Sequence, residues 1–157
     1  MRYGLQIRAA AAGDAVGLAE LLASAGYVIP ILDLSGRLER LRQSAAAVFL
    51  ADEWGPPSGL VVLSWTQTLF DERPAAAITT LLVGAENRRR GIGRALLKTA
   101  AQAARAAGCG ELRAFASGQS HDLRLFCLAN GFVADGAAFA RPLRKRNSGL
   151  HDVTIPP

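Results

Sequence analysis

The stretch Glu86–Ala100, ENRRRGIGRALLKTA, sets Arg88, Arg89, Arg90 and Arg94 around Gly91-Ile92-Gly93, just where an alanine-rich run must begin a helix. That run reads as a helix from about Gly93 to Ala107, stopped by Gly108. Four like charges so close repel one another unless something negative lies among them. The first N–H groups of a helix have no intrahelical partner and carry partial positive charge. Gly91 and Gly93 remove side chains, so the backbone can approach a ligand closely, and the arginines add charge-assisted hydrogen bonds. Together these features suit a pyrophosphate. The other reading is a solvated arginine run ahead of an ordinary helix. A Walker A loop is excluded, because the turn ends Gly-Arg-Ala and not Gly-Lys-Ser/Thr. A dinucleotide fingerprint is excluded too: it needs a third glycine near Leu96 and sits near the start of its domain.

Working outward, RPAAAITTLLVGAE gives a strand from about Ala76 to Val83, and ELRAFAS a strand over 111–117. The intervening helix makes these two parallel, with a right-handed crossover. LQIRAA alternates and reads as a first strand. Asp14 is expected to cap a helix running to about Ala25, with Leu18, Leu21, Leu22 and Ala25 at helical spacing and Gly26 as its stop. A second helix is expected around Leu34 to Ala46. AVFLADE and GLVVLSWTQTL form a hairpin across WGPPS. HDLRLFCLAN reads as a short helix ended by Gly131, and FVADGAAFARPL as one or two closing strands. The order is β-α-α-β-β-β-α-β-α-β. It implies an α+β fold: a mixed, mostly antiparallel sheet flanked by helices. One domain over 1–143 is expected, followed by a basic, flexible tail over 144–157 that holds Arg144-Lys145-Arg146 and His151.

At 157 residues the chain suits one domain with a substantial core. Half its residues are apolar and a fifth are charged, a globular composition. The net charge of +5 fits either an anionic partner or a basic surface kept for solubility. Aromatic residues are only 6% of the chain and do not interleave with the arginines, so no nucleic acid is expected as partner. MRYGLQIRAAAAGDAV has no apolar signal core, and no uncharged apolar run reaches the roughly 18 residues of a membrane span. No membrane partner is expected. Cys109 and Cys127 form neither a disulfide framework nor a metal pattern, which points to a reduced, cytoplasmic setting and no metal.

The segment LLVGAENRRRGIGRALL resembles the acetyl-CoA signature of the GNAT N-acetyltransferase superfamily, Val-x-x-x-x-Arg-x-x-Gly-x-Gly/Ala, with Val83, Arg88, Gly91 and Gly93 at the signature positions. The proline usual two residues after the valine is Ala85. SHDLRLFCLANGF is similar to a second, more degenerate motif, Asn-x-x-Ala-x-x-Phe-Tyr-x-x-x-Gly-Phe. There Phe126, Gly131 and Phe132 match, while Ser120, Leu123 and Cys127 replace asparagine, alanine and tyrosine. The closing FARPL resembles the FxKxL ending of bacterial members. The resemblance covers about residues 4–143.

It implies a fold in which the strands at 76–83 and 111–117 splay apart and hold the cofactor in the gap. The implied reaction is direct acetyl transfer from acetyl-CoA to an amine of a small molecule or a protein. The backbone at Leu81, Leu82 and Val83 would hold the pantetheine arm, with Val83 N–H as the oxyanion donor. Arg88, Arg89, Arg90, Gly91, Ile92, Gly93 and Arg94 would hold the pyrophosphate. Ser120 and Phe126 would line the cofactor, though Phe126 also reads as a core residue. Cys127 stands at the tyrosine general-acid position; acid, nucleophile and packing thiol are all open to it. Thr79 and Thr80 occupy the usual glutamate-base positions, and neither is a base at neutral pH. Glu86, Asp52, Glu53, Asp71 and Glu72 are weaker candidates, and His121 is open to a cap or cofactor contact. The acceptor walls would come from Tyr27–Arg37 and Leu69–Pro74. A homodimer is open, as is a second reading: an acetyl-CoA-binding domain with little or no catalysis.

Overall fold

The computed structural model describes residues 4–115, 121–134, 136 and 141–144. The chain forms two compact units, Met1–Phe115 and Ala116–Pro157. The first contains β1 (Gln6–Ala9), α1 (Ala15–Ser24), α2 (Ile31–Arg42), β2 (Ala46–Asp52), β3 (Gly59–Thr66), β4 (Ala75–Val83), α3 (Ile92–Ala106) and β5 (Glu111–Ala114). The second contains α4 (His121–Ala129). The sheet order is β1-β2-β3-β4-β5. Neighbours are antiparallel except β4 and β5, which are parallel across α3. This is the mixed, mostly antiparallel sheet with flanking helices that the sequence implies.

Some boundaries differ from expectation. The second helix begins at Ile31, not Leu34, because Pro30 takes an extended N-cap conformation and its carbonyl accepts from Leu34 N–H at 2.9 Å. It ends at Arg42, since Ala46 is already paired with Ser64 in the sheet. Asp14 stands at the N-cap of α1 but makes no side-chain cap. Arg8 takes its carboxylate instead, donating Nη1 and Nη2 to the two oxygens at 2.7 Å each, while Ala11 N–H donates to Oδ2 at 2.7 Å. Arg8 also donates Nε to Asp52 at 2.5 Å, so one guanidinium joins β1, β2 and the approach to α1. β5 ends at Ala114; residues 116–117 lie outside the described ones. The described residues of 132–143 form no strand, and the tail from Lys145, with His151, lies outside the described residues.

The two faces of the sheet are covered by different helices. Leu50, Leu60, Val62 and Leu82 pack with Leu18, Leu21 and Leu22 of α1 and Leu34 and Leu38 of α2. The other face takes α3, whose buried stripe is Ile92, Leu96, Ala100 and Ala104 with Leu97 beside it, an i, i+4 pattern. Each large apolar side chain in these layers is worth about 1.5–3 kcal/mol on burial. α3 comes so close to β3 that a Cβ on Gly59 would lie 2.9 Å from Leu96 Cδ1 and 3.0 Å from Ile92 Cγ2. This close approach fixes the N-terminus of α3 against the start of β3.

β4 changes faces midway. Val62 pairs with Thr80 and Leu63 with Ile78, so Thr79 is an extra residue. Paired residues share a face. Thr80 and Leu82 therefore lie with Val62 and Leu60 on the α1–α2 side, while Ile78 lies with Leu63 on the α3 side.

Hydrogen bonding to Arg8, above all, holds the Asp14 carboxyl below its ordinary range. The ionised form therefore stabilises the fold above the unfolded pKa of about 3.9, and that contribution fades as pH falls through the lower folded value. Asp14→Asn is expected to lose about 1 kcal/mol of unfolding free energy at pH 7, with the gap to the parent closing in acid. Denaturant unfolding from pH 7 down to pH 3 measures it.

Candidate functional site

The site is built where β4 has a hydrogen-bonding neighbour on one side only. Among the described residues β5 pairs with β4 from Ala75 to Ile78 and no further. From Thr79 to Val83 the strand bonds, among the described residues, to β3 alone. Strand amides alternate sides. Gly84 N–H donates to Ser58 O at 2.9 Å, and Leu82 O lies against Gly59, so the backbone of Leu82 faces β3. The N–H and C=O groups of Leu81 and Val83 then face the open edge. This corrects one expectation: Leu82 spends its backbone on the ladder and its side chain in the α1–α2 core, and of the three residues Leu81 and Val83 have edge groups without a partner among the described residues.

The edge leads into a shaped turn. Ala85–Asn87 form one turn of 3-10 helix, Arg88 is extended, and α3 starts at Ile92. Two residues of the turn are left-handed: Arg89 at φ 63° and Gly91 at φ 79°. Glycine takes that conformation freely; a Cβ on Gly91 would meet nothing within 4 Å, so the space over the turn is open. Arg89 takes it at a cost of about 1–2 kcal/mol. Ala95 N–H is the first to close the helical ladder, onto Gly91 O at 3.1 Å. The N–H groups of Ile92, Gly93 and Arg94 come before that ladder and have no helical acceptor. Ile92 contributes only its backbone here, since its side chain is 1% exposed beneath the turn.

The four arginines are not equivalent. Arg90 donates through Nη2 to Glu53 Oε1 at 2.8 Å and through Nη1 to Asn87 Oδ1 at 3.2 Å. Arg88, Arg89 and Arg94 are exposed, and among the described residues none makes a side-chain hydrogen bond or ion pair. Three arginines without side-chain partners among the described residues therefore flank the three unclosed amides at the start of α3, in the turn that follows β4. This arrangement fits a diphosphate followed by a chain that hydrogen-bonds like a strand. A cluster of His, Cys, Asp or Glu able to hold a metal does not occur among the described residues. No described helix is long and apolar enough to cross a membrane.

The remaining candidates separate. Thr79 donates weakly to Val62 O at 3.4 Å, across the bulge. Asp52 is taken by Arg8 and Glu53 by Arg90. Asp71 is tied within its own loop, accepting from Thr68 Oγ1 at 2.7 Å, and Glu72 and Glu86 are exposed. Ser120 lies outside the described residues. Phe126 and Cys127 are half-buried on α4 of the second unit. Cys127 O accepts from Asn130 N–H and Phe132 N–H, closing that helix. Burial pushes the Cys127 thiol up, and Cys109 likewise, so both are protonated at neutral pH. The Glu53–Arg90 pair is the contact of the turn that motif reading misses. Its partners are 37 residues apart, and the β2–β3–β4 pairing brings them together.

The sequence profile of the acetyltransferase (GNAT) family matches residues 18–132, from α1 to the end of α4. No curated protein has a significantly similar sequence. Several solved structures share the fold. Ribosomal-protein-alanine N-acetyltransferase of Brucella melitensis biovar Abortus 2308 is 23% identical with a TM-score of 0.74, covering 90% of this chain and 100% of that one. Glucosamine-6-phosphate N-acetyltransferase of Arabidopsis thaliana is 15% identical with a TM-score of 0.76, covering 89% and 99%. AAC(6')-Iy, solved with the bisubstrate analogue CoA-S-monomethyl-acetylneamine, is 20% identical with a TM-score of 0.76, covering 91% and 99%. At these identities the likeness is one of fold.

The left-handed Arg89 gives a direct check of the turn. Arg89→Gly is expected to match the parent's stability or exceed it by up to about 1 kcal/mol, and Arg89→Val to lose more than about 1 kcal/mol. Equilibrium denaturant unfolding of the two variants reads the difference.

Proposed function

The chain belongs to the acetyltransferase (GNAT) family, and on that premise we propose that it is a cytoplasmic N-acetyltransferase moving an acetyl group from acetyl-CoA to a primary amine by direct transfer. The observation that carries the reading is the open edge of β4 running into the turn at the mouth of α3. Acetyl-CoA supplies the activated thioester. On this chain, Arg88, Arg89 and Arg94 with the amides of Ile92, Gly93 and Arg94 hold the diphosphate. Leu81 and Val83 pair with the pantetheine arm as a strand would, and Val83 N–H is placed to take charge developing on the carbonyl oxygen. From the family resemblance alone, Ser120 and Phe126 would be cofactor-lining residues and Cys127, whose thiol burial keeps protonated at neutral pH, the donor to the departing thiolate.

Thr79 and Thr80 offer hydroxyls where the reaction needs a base, so water or bulk solvent takes the amine's proton. That same observation supports a second reading: a domain that binds acetyl-CoA and turns it over little or not at all. Solved proteins of this fold include acetyltransferases named for a ribosomal protein and for an amino sugar phosphate, and both a protein and a small-molecule amine remain acceptors on this reading.

A thiol-release assay with acetyl-CoA against a panel of amines tests the proposal. Release dependent on one amine class is expected, and binding without turnover would favour the second reading. Arg88→Ala/Arg94→Ala is expected to weaken CoA roughly 100-fold, about tenfold for each charge-assisted contact. Unchanged affinity in that variant would overturn the assignment of the turn. Cys127→Ala is expected to lower turnover with no change in acetyl-CoA affinity.

A further inference from the structure

A carboxylate beside a diphosphate site is electrostatically adverse, yet Glu53 reaches into this one. It directly follows Asp52, the last residue of β2, at the start of the β2–β3 turn. Asp52 meets Arg8 on the approach to α1, while Glu53, the first residue beyond the strand, meets Arg90 in the turn before α3. The Glu53 side chain is only 13% exposed. Arg90 lies between the two left-handed residues of the turn, Arg89 and Gly91, and it is the arginine of the four with side-chain partners among the described residues. Its guanidinium is held at both ends, by Asn87 within the turn and by Glu53 from the hairpin. A non-glycine residue stays left-handed only where its surroundings over-determine it. The Glu53–Arg90–Asn87 chain pins the residue that directly follows Arg89.

We propose that Glu53 is a positioning residue for the cofactor turn: by anchoring Arg90 to the β2–β3 hairpin, it holds the amides of Ile92, Gly93 and Arg94 aimed at the diphosphate. The inference rests on the acetyl-CoA reading above. It separates the arginines by role. Arg88, Arg89 and Arg94 present charge to the ligand, and Arg90 fixes the backbone that presents it. The carboxylate's repulsion of the ligand is offset because its charge is already paired with Arg90.

Isothermal titration of the full chain with CoA and with pantetheine, which lacks the diphosphate, tests this. The proteins are the parent, Glu53→Gln, Glu53→Ala, Arg90→Ala and Glu53→Ala/Arg90→Ala. Glu53→Ala is expected to weaken CoA roughly tenfold and leave pantetheine unchanged, with Glu53→Gln, which keeps an acceptor oxygen, in between. The double variant should bind CoA no more weakly than Arg90→Ala alone, since the two residues act as one unit. Tighter CoA binding by Glu53→Ala would make the carboxylate a mere opposing charge and overturn the proposal. An equal loss for both ligands would make it a general scaffold contact and overturn it as well. A parent that fails to bind CoA removes the acetyl-transfer reading itself, whereas a parent that binds and a Glu53→Ala that matches it remove this inference alone.

Discussion

Backbone amides of a strand must be paired, and between Thr79 and Val83 β4 pairs, among the described residues, on one side only. The site depends on that constraint. The extra residue at Thr79 turns β4 over, so that Leu82 is buried on the α1–α2 side and Ile78 on the α3 side. Parallel pairing with β5 stops at Ile78, one residue before the bulge. The groups of Leu81 and Val83 have no partner among the described residues, and the strand leads through the turn to the amides at the mouth of α3. An edge of this kind invites a strand-like ligand, and an extended amide-containing arm ending in a diphosphate satisfies both halves of it.

The turn shows how a cluster of like charges is made tolerable. Arg90 is neutralised internally by Glu53, and its neighbours Arg89 and Gly91 take left-handed conformations around it. That leaves three guanidinium groups directed at solvent with no partner among the described residues, which is a costly surface unless an anion visits it. The strain at Arg89 and the charge at Arg88 and Arg94 are both of the sort that a structure retains at a binding site. Below the turn, Ile92 and Leu96 pack onto the bare backbone of Gly59 and keep the mouth of α3 at a fixed height over the sheet.

Much of this was legible in the sequence. Gly91 and Gly93 pointed to the strand–turn–helix that the structure contains, and the alternation of apolar runs placed most elements within a few residues. What could not be read there is tertiary. The Thr79 bulge has no local signal, so the reversal that assigns Leu82 to the core and Leu81 and Val83 to the edge was invisible, and all three looked alike. Asp14 has the chemistry of a helix cap, but the planar fork of Arg8 competes for it and wins. Arg90 looked like the other arginines because Glu53 lies 37 positions away on another hairpin. Leu34 looked like a helix start because the extended bend at Pro30, which starts α2 a turn earlier, is a backbone conformation and not a residue pattern.

The alternation along β4 gives the sharpest test. Amide resonances of an isotopically labelled sample can be followed residue by residue as CoA is added. The expected pattern is a large shift at Leu81 and Val83, little at Leu82 between them, and large shifts at Gly91, Ile92, Gly93 and Arg94. Shifts confined to other parts of the chain, or equal shifts at all three strand residues with none in the turn, would contradict the placement of the cofactor on this edge.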